Sequence, residues 1–358
     1  MKIGILTIID NNNYGNRLQN YAISFVLEKY GASSETILNS SYLNEKKMFI
    51  SRLIYNKLKR IFKKTNVFCA RKRNFELFNY NINFSLKKVT AFSKITKYDF
   101  VISGSDQVWN PTFGRLRDVD LLCFVEPDKR VAFSASFGVN YIPENMKSKV
   151  ERALKKFKAI SVREDVGKKI VEDLTGRTDT EVLIDPTMLL TADDWDKVSK
   201  KPTMLKTDKY ILNYFLGNLS DDRRNEINRV AKNNNCEVIN ILDKESPFYE
   251  CGPSEFLYLE KNAFLICTDS FHSSVFGILY NTPFFVFERE DNKANMNSRL
   301  DTLLSKFKLE NRRYDGEIIE KDLECNYTDA YKILDKERIK SMNFLKKALD
   351  IKDSDKSE

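Results

Sequence analysis

The sequence predicts an α/β protein built from two doubly wound, Rossmann-like domains that face each other across a cleft. Three observations carry this. The chain has 358 residues, and single cores stop growing at about 250–300 residues, so two domains are expected. Short apolar stretches alternate with amphipathic ones, which argues for parallel sheets covered by helices on both faces. The alternation runs through twice, on either side of a polar stretch at Thr191–Asp208 that contains Pro202 and four lysines.

The first pass opens with Lys2–Ile8, an apolar strand. An asparagine-rich loop follows, and then Gly15–Tyr30 sets Leu18, Tyr21, Ala22, Phe25 and Val26 at helical spacing. Further strands are expected at Ser34–Leu38, Asp99–Ser103, Arg130–Ser134, Lys158–Val162 and Glu181–Ile184, with helices at Glu144–Lys156 and Glu164–Leu174. The second pass gives strand Tyr210–Phe215, helix Asp221–Lys232, strand Glu237–Ile241, helix Pro253–Asn262, strand Ala263–Cys267, helix Phe271–Tyr280 and strand Pro283–Phe287. The expected units are residues 1–200, carrying a basic helical insertion, and 201–328. Residues 329–358 supply a helix near Asp329–Leu349 that crosses back to the first domain, and a frayed tail. Such an architecture is glycosyltransferase-B-like, with ligands between the domains at the carboxyl ends of the strands.

Composition excludes several classes. With 42% hydrophobic and 31% charged residues, and only twelve glycines and eight prolines, the chain is neither collagen-like nor disordered. No apolar run reaches membrane-spanning length. The apolar start at Ile3–Ile8 is too short for a signal peptide and lacks a cleavage site, so a cytoplasmic protein is expected. The cysteines, Cys69, Cys123, Cys236, Cys251, Cys267 and Cys325, form no C-x-x-C pair, and His272 is the single histidine. Neither a metal site nor a disulfide framework is expected. The net charge is +8, yet Lys46–Phe75 alone holds eleven basic residues and no acidic one. That local excess, with Met48, Phe49, Leu53, Ile54, Leu58, Ile61 and Phe62 at near-helical spacing, reads as a docking surface for the anionic inner face of a membrane. The competing reading packs the apolar face on the first domain. Nucleic acid is not expected, because no aromatic–basic interleaving accompanies the patch.

Four segments have the makings of a site. In Thr268-Asp269-Ser270-Phe271-His272 a buried strand stops and a helix starts, with Asp269 or Ser270 as cap. A helix N-terminus attracts phosphate or carboxylate, and His272 lies in its first turn. The plainer reading is a semi-buried histidine bonded to a carbonyl. In Gly104-Ser105-Asp106-Gln107-Val108-Trp109-Asn110 a strand end breaks into small and polar groups. Ser105, Asp106 and Gln107 offer hydrogen bonds there, and Trp109 offers a face for a sugar. Alternatively this is an ordinary strand-to-helix turn with Trp109 in the core. Asn13-Tyr14-Gly15 follows the first strand but lacks G-x-G-x-x-G, so a nicotinamide-dinucleotide cofactor is not supported. In Ser161-Val162-Arg163-Glu164-Asp165 an arginine ends a strand, where it binds carboxylate or phosphate or else forms a salt bridge.

The order NYG-x-x-LQ-x-YA, GSDQVWN, SVRED, IDPT-x-LL and TDSFH resembles the polysaccharide pyruvyl transferase family from residue 3 to about 305, with further likeness at Gly252–Phe256 and Asn297–Arg299. The resemblance implies transfer of the pyruvyl unit of phosphoenolpyruvate to two hydroxyls of a sugar, giving a ketal, with no cofactor beyond that co-substrate. It makes His272, with Asp269 beside it, the catalytic group and Arg163 an anion-binding residue. Better-studied family members carry an arginine two residues before the histidine, where this chain has Ser270. Arg289 or Arg299 is expected to take over its role in donor binding beside Ser270. Asn13, Tyr14, Gly15, Ser105, Asp106, Gln107 and Trp109 fall to the acceptor, a sugar or lipid-linked oligosaccharide of a capsule or surface polysaccharide. The competing functions are a glycosyltransferase-B-like enzyme using a nucleotide-sugar, which Ser270 favours slightly, and a non-catalytic recruiter, which His272 and Arg163 argue against.

Overall fold

The computed structural model describes residues 1–38, 65–85, 88–90, 93, 95–289 and 298–351. Its first sheet is formed by β1 (Lys2–Leu6), β2 (Ser33–Thr36), β3 (Phe100–Ser103), β4 (Arg130–Ala135), β5 (Ala159–Val162) and β6 (Glu181–Val182), in the order β2-β1-β3-β4-β5-β6. Its second is formed by β7 (Tyr210–Tyr214), β8 (Glu237–Asn240), β9 (Leu265–Thr268) and β10 (Phe284–Val286), in the order β10-β9-β7-β8. Every pairing in both sheets is parallel. Parallel strands are covered on both faces, which is why β3, β4, β7 and β9 are buried throughout and are mostly apolar without strict alternation.

The connecting helices are α1 (Tyr14–Lys29), α2 (Thr65–Phe78), α3 (Glu144–Leu154), α4 (Asp165–Thr175), α5 (Ala192–Asp196), α6 (Asp221–Asn233), α7 (Pro253–Asn262), α8 (Phe271–Tyr280), α9 (Ser298–Phe307) and α10 (Thr328–Ala348). Their ends follow local chemistry. Asn13 caps α1 by accepting from Asn16 N, Thr191 and Asp194 form a reciprocal capping box on α5, and α4 stops at Gly176 in the left-handed region (φ 72°).

One apolar core joins the two sheets. It runs from Ile3 and Phe133 through Trp195 to Phe276 and Phe284, while the outer face of each sheet has its own cluster. Helix α10 ties the halves together. Near its start Tyr331 Oη donates to Ile278 O of α8 (3.0 Å). Farther along, Arg338 donates to Met188 O and Leu190 O (2.8 and 2.7 Å), and Phe344 lies 6.2 Å from Phe133 of β4. Among the described residues no helix is long and apolar enough to cross a membrane.

Of the basic stretch only the end, residues 65–75, is described. Residues 46–64 lie outside the described residues. The remainder opens α2, where Lys72 and Arg73 are exposed but Arg71 and Phe75 are buried. Arg71 donates to Tyr14 Oη (2.6 Å), Asn12 O (3.0 Å), Tyr249 O (3.1 Å) and Cys251 O (3.2 Å). It therefore staples the β1–α1 loop to the second domain and is no part of an outward-facing patch.

Candidate active site

Strand order fixes where a ligand sits. In the first sheet the connections reverse between β1 and β3, and in the second between β7 and β9. The crevices at these switch points open at the carboxyl ends of the strands. They are lined by the β1–α1 and post-β3 loops on one side, and by the post-β7 and β9–α8 loops on the other.

His272 enters from the second domain, in the first turn of α8, and is 6% exposed. Its ring lies against Gly15 of α1, in the first domain. A Cβ on Gly15 would stand 2.5 Å from His272 Cγ and nearer still to Nδ1 and Cε1. The backbone there is ordinary helix, so glycine is required by the imidazole and not by φ. Nε2 points the other way, 3.7 Å from Asp185 Oδ2, and has no hydrogen-bond partner.

Asp185 is the residue that the sequence argument matched within IDPT but gave no role. It is fully buried and accepts from Ser105 Oγ (2.6 Å), Arg163 Nη1 (2.7 Å), Thr187 Oγ1 (2.7 Å) and Thr187 N (3.0 Å). Burial alone would raise its pKa. The charges of His272 and Arg163 and the Ser105 bond outweigh burial and hold the carboxyl far below the usual range. Two distant segments, carrying Ser105 and Arg163, thus converge on one carboxylate that faces the only imidazole in the chain.

Arg163 does not stand open to the cleft as an anion clamp. Its guanidinium is enclosed, shared between Asp185 and Asp106 Oδ1 (3.2 Å) and stacked 4.3 Å from the Phe271 ring. A cavity of about 10 Å³ behind the pair, lined by Arg163, Asp185 and Phe271, holds at most a single water. Asp106 sits at φ 66°, which aspartate tolerates better than most residues. Burial pushes its pKa up, but Arg163, His272 and Arg299 together bring it below the ordinary value.

Arg299, at the start of α9, reaches across the cleft to Asp106 Oδ1 (3.7 Å). With its amide oxygen turned to the guanidinium, Gln107 accepts two further bonds from Arg299, at 3.0 and 2.8 Å. Burial, reinforced by Arg163, pushes Arg299 down to about 10. Arg289 Nε pairs with Asp269 Oδ2 at 3.2 Å. Asp269 also accepts from Leu216 N and Gly217 N, both at 2.7 Å, so it fastens the post-β7 loop across the second switch point. Ser270 occupies the N-cap position of α8 without a side-chain capping bond, and its carbonyl accepts from Ser274 Oγ (3.0 Å).

Two aromatic candidates lie elsewhere. Trp109 is fully buried, donates from Nε1 to Asp120 O (3.2 Å) and packs on Phe137 and Phe157. It is a core residue and presents no face to a sugar. Tyr14 is likewise buried, stacked on Phe256 at 4.4 Å, and donates to Cys251 O (2.9 Å), so it holds the domains together and does not line the cleft. Asn13 stays at the loop as the cap of α1.

The chain folds like a putative UDP-N-acetylglucosamine 2-epimerase from Listeria monocytogenes, at TM-score 0.50 and 10% identity over 96% of this chain and 90% of that one. Also similar are a UDP-GlcNAc 2-epimerase from Methanocaldococcus jannaschii (TM-score 0.44, 15% identity, 94% and 99% covered) and MurG from Acinetobacter baumannii (TM-score 0.40, 9% identity, 98% and 98% covered). At 10% identity the first of these likenesses establishes the fold alone, and with the two parallel sheets it gives two Rossmann-like domains in a glycosyltransferase-B-like arrangement. No curated protein matches the sequence. The family model for polysaccharide pyruvyl transferase matches residues 13–292, the span that holds Gly15, Asp106, Arg163, Asp185 and His272, and the chain belongs to that family.

Proposed function

We propose that the enzyme transfers the pyruvyl unit of phosphoenolpyruvate to two hydroxyls of a sugar in a surface-polysaccharide precursor, forming a ketal and releasing phosphate. The observation that carries this reading is His272, seated between Gly15 and Asp185 where the two domains meet. Ketal formation begins with a proton added to the enol C3, which leaves positive charge at C2. One hydroxyl adds to C2 and loses its proton, and phosphate departs with the C–O bonding pair. A second hydroxyl then adds to C2 and loses its proton. One proton enters and two leave, the second going to phosphate or solvent.

His272 is the group that supplies and collects these protons. Asp185, itself held by Ser105, Thr187 and Arg163, orients the imidazole and stabilises its protonated form. Arg299 and Arg289, carried by Asp106 and Asp269, meet the anionic groups of the donor in place of the arginine replaced by Ser270. Arg163 serves by fixing the two aspartates. The acceptor approaches from the side of Gly15, Ser105 and Gln107. We place it on a lipid carrier, because residues 46–64 bring basic side chains that are worth about 1 kcal/mol each near an anionic leaflet.

The test is acceptor-dependent phosphate release from phosphoenolpyruvate, with His272→Ala as control. Release that His272→Ala abolishes supports the reading. Nucleotide release from a nucleotide-sugar, with phosphoenolpyruvate left intact, replaces it with a glycosyl transfer.

A further inference from the structure

Arg17 is fully buried two residues beyond Gly15, yet it lacks the partners that a buried guanidinium requires. Nη2 donates to Ile8 O (2.5 Å), while Nε and Nη1 have no hydrogen-bond partner. Among the described residues no carboxylate pairs with it. Other buried arginines differ. Arg71, Arg130 and Arg312 each reach at least two backbone carbonyls, and Arg163 has two carboxylates. Burial pushes the Arg17 pKa down to about 10, with only the field of Asp10 opposing it. A cation kept in such a place is costly to the fold.

The location suggests what offsets that cost. Long helical side chains point back toward the helix N-terminus. The bond to Ile8 O sets the guanidinium beside the β1–α1 loop, beyond the carboxyl end of β1, with the Phe84 ring 6.0 Å away. Helix α1 has sixteen residues and no acidic residue in its first turn, so the positive end of its dipole is uncompensated. Of its first-turn amides, Asn16 N is taken by Asn13 Oδ1.

We propose that Arg17 and the N-terminus of α1 form a phosphate-binding site that takes a phosphate or diphosphate ester. A phosphoryl group has enough oxygens to serve the two idle guanidinium nitrogens and the helix amides together. The ligand enters by displacing loop 8–13, most of which is partly exposed. The proposal rests on the reading of this cleft as a transfer site. Two sources share the chemistry: the phosphate of the donor, and a phosphate linking the acceptor sugar to its carrier.

The experiment compares wild type with Arg17→Met by isothermal titration calorimetry, using phosphoenolpyruvate, glucose 1-phosphate and inorganic pyrophosphate as probes, together with thermal melts. Arg17→Met is expected to melt at or above wild type, because it removes a buried charge that lacks a counter-ion, and to bind at least one probe about tenfold or more weakly. Loss confined to phosphoenolpyruvate identifies the donor's phosphate; loss confined to the other two identifies the acceptor's. Unchanged affinity for all three, or a variant that melts several degrees lower or fails to fold, makes Arg17 a structural residue and overturns the proposal. Wild-type crystals soaked in pyrophosphate give a second reading: density at Arg17 supports the site, and density absent there refutes it. Arg17-dependent pyrophosphate binding without phosphate release from phosphoenolpyruvate would leave this site standing while the pyruvyl donor falls.

Discussion

Gly15→Ala is the sharpest probe of the site. On helix propensity alone the change is favourable by about 0.5–1 kcal/mol, since Gly15 lies in α1 with ordinary helical backbone. The imidazole reverses the sign. The new methyl would stand 2.5 Å from His272 Cγ, and ordinary contact begins at 3.4 Å. With Nδ1 and Cε1 nearer still, the ring must retreat by at least about 1 Å, and overpacking of this kind costs about 1–3 kcal/mol. The net expectation is a loss of up to about 2 kcal/mol, a small share of the stability of a two-domain chain. Catalysis is hit harder, because a 1 Å misplacement costs about 100-fold in rate, or about 2.7 kcal/mol of barrier. The assay is release of the donor's leaving group at saturating substrate, with a melt to show that the fold survives. Gly15 and His272 belong to different domains, so opening the cleft also relieves the clash, and the radius of gyration measured by X-ray scattering should rise. Turnover within about threefold of wild type, in a variant whose crystal structure leaves His272 unmoved, would refute the claim that the glycine seats the histidine.

Other perturbations test other parts of the argument. Asp185→Asn leaves Arg163 short of a carboxylate and His272 without the negative charge that its Nε2 faces, and should cost about 3–5 kcal/mol by denaturant unfolding and lower kcat more than it raises KM. In wild type the depressed Asp185 pKa contributes stability that is complete above the unfolded value of about 4 and is lost as pH falls below it, a slope that Asp185→Asn should flatten in pH-dependent melts. Arg71→Ala strips a donor from Tyr14 Oη and three carbonyls, and should destabilise by about 2–4 kcal/mol and expand the molecule in scattering. Glu260 is fully buried with Ser273 Oγ as a partner (2.6 Å), and burial raises its pKa well above the ordinary value. Its contribution therefore opposes folding as pH rises past about 4.5, so Glu260→Gln should melt higher than wild type at pH 8 and equal to it near pH 4. Finally, vesicles containing anionic lipid should pellet the protein at low salt, and reversing four of the basic residues in 46–64 should abolish pelleting; pelleting unchanged by that reversal ends the membrane reading.

The fold was legible because buried parallel strands leave a plain mark. Tyr210–Tyr214 and Arg130–Ala135 are mostly apolar, and each ends within a residue of its expected limit. Edge strands were less clear: Glu181–Ile184 reads as one run, but ladder pairing stops at Val182 because the chain turns to deliver Asp185. Within the site, strand-end polar residues mark themselves, which is how Ser105, Asp106, Arg163 and His272 could be picked out. Aromatic residues do not. Trp109 and Tyr14 stand beside motif glycines and asparagines, but an aromatic side chain looks alike in sequence whether it meets a sugar or a core. Asp185 was missed because its meaning lies in donors from Ser105, Arg163 and Thr187, which only the fold assembles. Arg71 was misread because most of its partners are backbone carbonyls, which carry no signal in sequence.

The contacts that define the site cross the cleft. His272 from one domain meets Gly15 and Asp185 from the other, and Arg299 meets Asp106 and Gln107 in the same way. Separating the domains by a few ångströms would take the imidazole from its carboxylate and Arg299 from its anchor at once. The proton transfer proposed for His272 is thus tied to closure by geometry. The closed arrangement also leaves His272, Asp106 and Gln107 almost entirely out of water. That suits the ketal formation proposed above, in which a cationic C2 meets two sugar hydroxyls in turn, because water reaching C2 between the two attacks would regenerate free pyruvate. A variant that opens the cleft without touching the reacting groups, Arg71→Ala foremost, should therefore raise the yield of free pyruvate per phosphate released. Equal ratios in wild type and variant would show that closure protects nothing.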